Sequence, residues 1–208
     1  YPTSRWQPGQ IIADAIPIPI PADAGGPTGV VLTVGLRDED GRLLPTSAGQ
    51  TTTALGVLRL GAIDEPGANL PALYTLGDVV KLVEIEPEGM ETAVPGTTIP
   101  LMLTWQAVQN PGADYSVFVH LLDAAGQQIQ TYDQPPQGGA FPTSLWLPGD
   151  VVADARPITL PADLPPGTYT LHAGWYRLDD FSRLPVVDAA GQPVPDGSIP
   201  LLSLEIER

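Results

Sequence analysis

The chain has 208 residues, with 25 proline, 22 glycine and no cysteine, and 24 Asp and Glu against 9 Lys and Arg leave it at a net charge of −15. That charge argues against DNA, RNA and anionic membrane surfaces as partners, since each is held through basic residues. The lack of cysteine removes disulfides, thiol catalysis and cysteine metal sites, and is compatible with an exported protein. No run reaches the ~18 consecutive apolar residues that a membrane-spanning helix requires.

Proline and glycine fall between short apolar runs, the pattern of an all-β chain with tight connections. The first such stretch, YPTSRWQPGQIIADAIPIPIPAD (1–23), returns as FPTSLWLPGDVVADARPITLPAD (141–163), with 14 of 23 positions identical. This is an internal duplication. Its centre is a PTSxW motif: Pro2, Thr3, Ser4 and Trp6 in the first copy, Pro142, Thr143, Ser144 and Trp146 in the second. Proline fixes φ, Thr and Ser hydrogen-bond nearby backbone, and Trp plugs an apolar end, so a structural corner is expected. The competing reading makes Trp6 and Trp146 exposed platforms for a sugar. It carries less weight, because buried Trp is an ordinary way to close a β-sandwich.

Next, GPTGVVLTVGL (26–36) parallels PGTYTLHAGWY (166–176) with one residue inserted in the first copy. Leu32, Val34 and Leu36 are thereby placed on the core face that Leu171, Ala173 and Trp175 occupy. RDEDGR (37–42) begins like a calcium loop but lacks the third acidic position and the closing glutamate, so a hairpin tip and no metal is the expectation. GRLLPTSAGQ (41–50) parallels SRLPVVDAAGQ (182–192), and LGVLRLGAI (55–63) resembles IPLLSLEIE (199–207). Residues 1–63 are therefore expected to be the second half of a first β-sandwich repeat, 64–77 a linker, and 78–208 a complete repeat. In another phasing, 1–63 and 78–140 form one sandwich and 141–208 is left over. The first copy enters mid-unit and opens on Tyr rather than Met, so a piece of a longer tandem array is expected. The apolar face of the half copy then needs cover from the second copy or from another chain.

Beyond the linker, strands are expected at 79–85, 98–105, 115–122, 127–132, 150–160, 168–178, 184–187 and 199–207, several with period-two alternation. YSVFVHLL (115–122) is apolar on both faces apart from Ser116 and His120, as befits an inner strand. LLDAAGQQ (121–128) and VVDAAGQP (186–193) share a D-A-A-G-Q turn, with Asp as the cap and Gly126 or Gly191 left-handed. The glutamates of EIEPEGME (84–91) are too ordinary in so acidic a chain to indicate a paired-carboxylate glycosidase. His120 and His172 each lie inside a strand with no metal-ligand spacing, which favours structural histidines. A polar site, if present, is built from His120, Asp133 and the 143–146 segment. The sequence contains no GxSxG, P-loop or GxGxxG motif. About eight strands with frequent turns, and a long 133–149 connection to cross between sheets, give an Ig-like, Greek-key antiparallel β-sandwich, with a jelly roll as the alternative.

The succession YSVFVHLLDAAGQ, YDQPPQGGAFPTSLWLPGDVVAD and LPPGTYTLHAGWYRLDDFSRLPV resembles β-sandwich modules of large bacterial envelope proteins. Such modules occur as extracytoplasmic C-terminal domains of polytopic membrane proteins similar to dolichyl-phosphate-mannose-type glycosyltransferases. The resemblance implies a cell-surface location and a non-catalytic, accessory role through protein or envelope contacts, possessing neither cofactor nor enzymatic activity. The partner is then another protein, or self-association through the incomplete repeat. The alternative is a carbohydrate-binding module in which Trp105, Trp146 and Trp175 stack on a glycan beside His120 and Asp133.

Overall fold

A computed structural model describes residues 5–21, 27–61 and 69–207. Pro2, Thr3 and Ser4 of the first corner motif lie outside the described residues, as do 62–63 of the first copy and 64–68 of the expected linker. The chain is all β. Two strands come from the first copy, β1 (Thr28–Val34) and β2 (Thr53–Leu60). Eleven follow: β3 (Tyr74–Leu76), β4 (Val80–Glu86), β5 (Met90–Ala93), β6 (Thr98–Ala107), β7 (Tyr115–Asp123), β8 (Gln128–Thr131), β9 (Val151–Thr159), β10 (Gly167–Arg177), β11 (Val186–Asp188), β12 (Pro193–Val194) and β13 (Ile199–Ile206). Among the described residues no helix is long and apolar enough to cross a membrane.

Strands β3 to β13 make a sandwich of two sheets, ordered β5-β13-β10-β7-β8 and β12-β11-β3-β4-β6-β9. All neighbours are antiparallel except β13 and β5. The ladders β7–β10 and β6–β9 join the chain before residue 140 to the chain after it. The 133–149 segment carries the chain from β8 in one sheet to β9 in the other. Pro157 is tolerated in β9 because β9 is an edge strand, where a missing N–H breaks no ladder. Alternation sets the faces: Val117, Val119 and Leu121 of β7 are buried in the core with Leu103 and Trp105 of β6, and with Leu171, Ala173 and Trp175 of β10. Strand β3 comes from the stretch expected as linker. It pairs with both β4 and β11, and its Leu76 is fully buried.

The first copy repeats the β10–β13 ladder pair by pair. In β1–β2, Thr28 pairs with Leu60 and Val30 with Leu58, and the register slips between Leu32 and Thr33. In β10–β13, Gly167 pairs with Ile206 and Tyr169 with Leu204, and the register slips between Leu171 and His172. Both ladders thus carry the same bulge. They also move the last correspondence by two residues, matching 53–60 to 199–206. An even shift keeps every side chain on its face.

The turns agree as well. Leu147 N–H donates to Asp150 Oδ2 (2.8 Å), and Gln7 N–H donates to Gln10 Oε1 (3.2 Å), so both W-x-P-G turns have the same cap. RDEDGR is a hairpin tip, in which Asp38 Oδ1 accepts the N–H groups of Asp40 and Arg42. Asp123 and Asp188 cap their D-A-A-G-Q turns in the same way, with Gly126 and Gly191 at φ 78° and 77°.

Burial is where the copies part. Trp6 is 42% exposed against 0% for Trp146, Ile18 59% against 1% for Ile158, and Leu58 49% against 0% for Leu204. Val34 and Leu36, expected in a core, are exposed for the same reason: among the described residues β1 and β2 form a two-stranded sheet, with no second sheet against them. Residues 11–20, whose counterpart is β9, form no strand.

Arg59 fastens the hairpin to the sandwich. Arg59 makes a two-pronged ion pair with Asp150 (2.8 and 3.0 Å), and its guanidinium lies 5.6 Å from the centre of the Phe141 ring. Opposite Arg59 in the ladder, Gly29 sits so close to Ala140 that a Cβ would be 2.3 Å from the Ala140 carbonyl oxygen.

Candidate functional site

The second corner motif is built into the sandwich. Thr143 Oγ1 accepts the Tyr115 N–H and donates to the Ala113 carbonyl, both at 2.9 Å, and Ser144 N–H donates to Asp114 Oδ1. Pro142 precedes the short 3-10 turn 143–145, which delivers Trp146 to the core. There Trp146 meets Trp175 edge-on at 5.6 Å, and Trp175 meets Trp105 edge-on at 5.2 Å. Trp146 Nε1–H donates to the Phe141 carbonyl and Trp105 Nε1–H to Asp154.

All three rings are fully buried. This corrects the expectation that Trp105, Trp146 and Trp175 are ligand platforms: a ring closed off by both sheets has no face left for a sugar. Asp154, on β9, accepts three donors, from Trp105, the Gln137 N–H and Arg156 Nε. Neither the Asp154–Arg156 pair nor its depth is visible in the sequence.

The polar residues expected to form a site do assemble in part, on the outer face of the five-stranded sheet. Inward-pointing Val119 and Leu171 leave His120 and His172 pointing out, and the ladder sets the two histidines directly opposite each other. Asp133 lies 3.5 Å from His120 Nε2. The 143–146 segment is not among their neighbours, being taken up by the corner.

Three residues join the cluster that the sequence did not point to. Ser198 Oγ shares a 3.1 Å hydrogen bond with His172 Nδ1, the donor set by the imidazole tautomer. The Arg183 guanidinium sits 4.2 Å over the Phe118 ring, which in turn stacks 4.7 Å from His120. Gly174 makes room for this arrangement, since a Cβ there would stand 2.4 Å from Phe118 and 2.3 Å from the Gly197 carbonyl oxygen. Strand parity does place both histidines outward. Their pairing depends on register, which no local signal in the sequence encodes.

Burial holds both imidazoles below their ordinary value; at His120 it outweighs the opposing pull of Asp133, with Arg183 and His172 adding to the downward shift. Near neutral pH both rings are therefore neutral and act as paired donors and acceptors. Beside them runs a groove of about 550 Å³, lined by His172 and Ser198 with Tyr74, Asp188, Asp196 and three prolines. No group of three His, Asp or Glu among the described residues is placed to hold a metal. Glu84, Glu86 and Glu88 of the acidic stretch are exposed. Chemically, the face offers hydrogen bonding and one aromatic edge.

No protein-family model and no curated protein sequence matches the chain. Among solved structures, it is similar to the C-terminal domain of Wzt at 14% identity and a TM-score of 0.42, covering 70% of this chain and 84% of that one. It is also similar to a family 123 glycoside hydrolase from Clostridium perfringens that acts in glycolipid glycan hydrolysis, at 10% identity and a TM-score of 0.38. That likeness covers 66% of this chain and 28% of the hydrolase.

Proposed function

We propose that this chain is a non-catalytic, extracytoplasmic accessory module that works by contact with a protein or cell-envelope partner, and that its contact surface is the first copy. The observation that carries this reading is the contrast between the copies: Trp6, Ile18, Val34, Leu36 and Leu58 are exposed, while Trp146, Ile158, Ala173, Trp175 and Leu204 are buried. Large apolar side chains left in solvent at positions whose counterparts are core point to an interaction surface. The resemblance of residues 78–208 to envelope-protein modules supports the cell-surface setting, and the acidic charge supports protein over nucleic-acid partners.

The test is co-sedimentation of the full chain with isolated bacterial envelopes, alongside a variant carrying Ile18→Ser, Val34→Ser and Leu58→Ser. The variant is expected to lose sedimentation and keep the thermal midpoint of the sandwich. Equal sedimentation of the two proteins, or none by either, would sink the reading.

A second reading, carbohydrate binding, has one observation in its favour: the groove that brings Tyr74 and Asp188 of one sheet together with His172 of the other and Asp196. It uses one tyrosine edge and carboxylates in place of the buried tryptophans. Binding on a glycan array that is lost in Tyr74→Ala and His172→Ala would support it; binding unaffected by both changes, or no binding, would end it.

A further inference from the structure

We infer that the uncovered face of the first copy is an acceptor for a strand set of the build of residues 69–140, and that the two together close a second sandwich. This rests on the interaction reading above and names the partner's chemistry.

The second copy states what such a face requires. Strand β10 is flanked by β7 on the edge away from β13, and β13 by β5 on its far edge. Strand β9 lies along the whole of β6, from Thr98 opposite Thr159 to Gln106 opposite Val151. All of β5, β6 and β7 come from residues 90–123. In the first copy the equivalents of β10 and β13 are present with the same register and the same bulge, and among the described residues their outer edges carry no strand. The equivalent of β9, residues 11–20, has no β6 beside it and no strand conformation.

The side chains agree with the backbone. Ile18 and Ile20 correspond to Ile158 and Leu160, and Leu58 to Leu204, all buried in one core with Leu103 of β6 and Val119 of β7. A partner with alternating strands of that kind fits this face with β1 and β2 as they stand, residues 11–20 becoming the strand that pairs with its equivalent of β6. A second molecule of this chain does not, because its own 69–140 strands are already paired with its 141–207 strands.

The experiment fuses a second copy of residues 69–140 directly ahead of Tyr1 of the full chain, so that Ala140 precedes Tyr1 as it precedes Phe141. Two readouts are followed. Amide hydrogen exchange reports on β1, β2 and residues 11–20. The added segment carries Trp105→Phe in both fusions, so acrylamide quenching reports on Trp6 alone, the other three tryptophans being fully buried. The fusion is expected to slow exchange in β1 and β2 by about 100-fold or more, and to protect Trp6 as fully as the other three. A companion fusion carrying Leu103→Asp and Val119→Asp in the added copy only is expected to give no protection, while β6 and β10 of the original sandwich report that the rest is intact.

If the first fusion leaves β1, β2 and Trp6 as they are in the unfused chain, or if the companion protects them equally, the inference is wrong. If the unfused chain is already protected through concentration-dependent self-association, the occupant is a second copy. This inference then falls, although the interaction reading stands. Loss of the interaction reading is read separately, from the envelope co-sedimentation.

Discussion

Asp154 and Asp14 hold the same place in the two copies, and the structure assigns them very different energies. Asp154 is fully buried and receives Arg156 Nε at 2.7 Å, the Gln137 N–H at 2.8 Å and Trp105 Nε1 at 3.3 Å. Arg156 is equally buried, donates its Nη2 to the Gln134 carbonyl, and has no partner for Nη1. Asp154→Asn keeps the shape and removes the charge that offsets this guanidinium. Breaking a buried pair from one side costs about 3–5 kcal/mol. For a protein of this size each kcal/mol is worth roughly 2–4 °C, so the thermal midpoint should fall by about 10 °C. Asp14 is exposed, with Ile16 standing where Arg156 stands, and Asp14→Asn should stay within about 0.5 kcal/mol. Adding Arg156→Met to Asp154→Asn should recover most of the loss, because removing both charges also removes both desolvation costs. Urea unfolding followed by circular dichroism measures all of these, with an unchanged slope required. A cost below about 1 kcal/mol for Asp154→Asn, or equal costs for the two aspartates, would refute the assignment of a closed, charged interior at β9.

The same comparison applies to the corner: Trp146→Ala should destabilise by about 3–5 kcal/mol, and Trp6→Ala by about 1 kcal/mol or less, in the same unfolding assay. His120 and His172 are held below the ordinary 6.5 in the fold. The unfolded chain therefore binds more protons just below pH 6.5; stability should be full above that pH and decline as pH falls toward the depressed folded values. A His120→Gln, His172→Gln variant should flatten that decline, measured as urea midpoints between pH 5 and 8. Arg59→Ala should free the hairpin from its seat on Asp150 and Phe141, speeding amide exchange in β1 and β2 by about 10-fold while leaving β6 and β10 unchanged. Equal acceleration throughout would show that Arg59 supports the whole sandwich instead.

Much of the architecture was legible because it is written in short-range patterns. Alternation in 199–207 located β13, the continuous apolar run of 115–122 located β7, and the two D-A-A-G-Q repeats located turns with the capping atoms found in the structure. Strands β3 and β12, of three and two residues, are too short for any period to register, and they exist only because β4 and β11 offer ladder partners. The outer-face cluster was half legible. His120 and Asp133 were singled out, but Ser198 and Arg183 reach the histidines from 26 and 63 residues along the chain from His172 and His120 respectively. The tryptophans failed as a ligand site because composition counts aromatic rings and cannot say which of them a second sheet covers.

The two copies separate what a segment determines for itself from what its neighbours determine for it. The W-x-P-G turn, the D-x-x-G caps and the bulged ladder are set by residues within about thirty positions of one another, and all of them are present in the first copy. Core burial is set across sheets by β4, β6 and β7, and it is what the first copy lacks. A two-stranded ladder is marginal by itself in water. Here it is held by its own turns and by the Arg59–Asp150 seat, with its bulge already placed. In the proposed docking, a front half meets a ladder whose register and turns are already set and has residues 11–20 left to order as a strand, so its binding free energy is divided between that ordering and the burial of Trp6, Ile18 and Leu58. On that proposal the first copy serves as an interface while keeping the sequence of a domain interior.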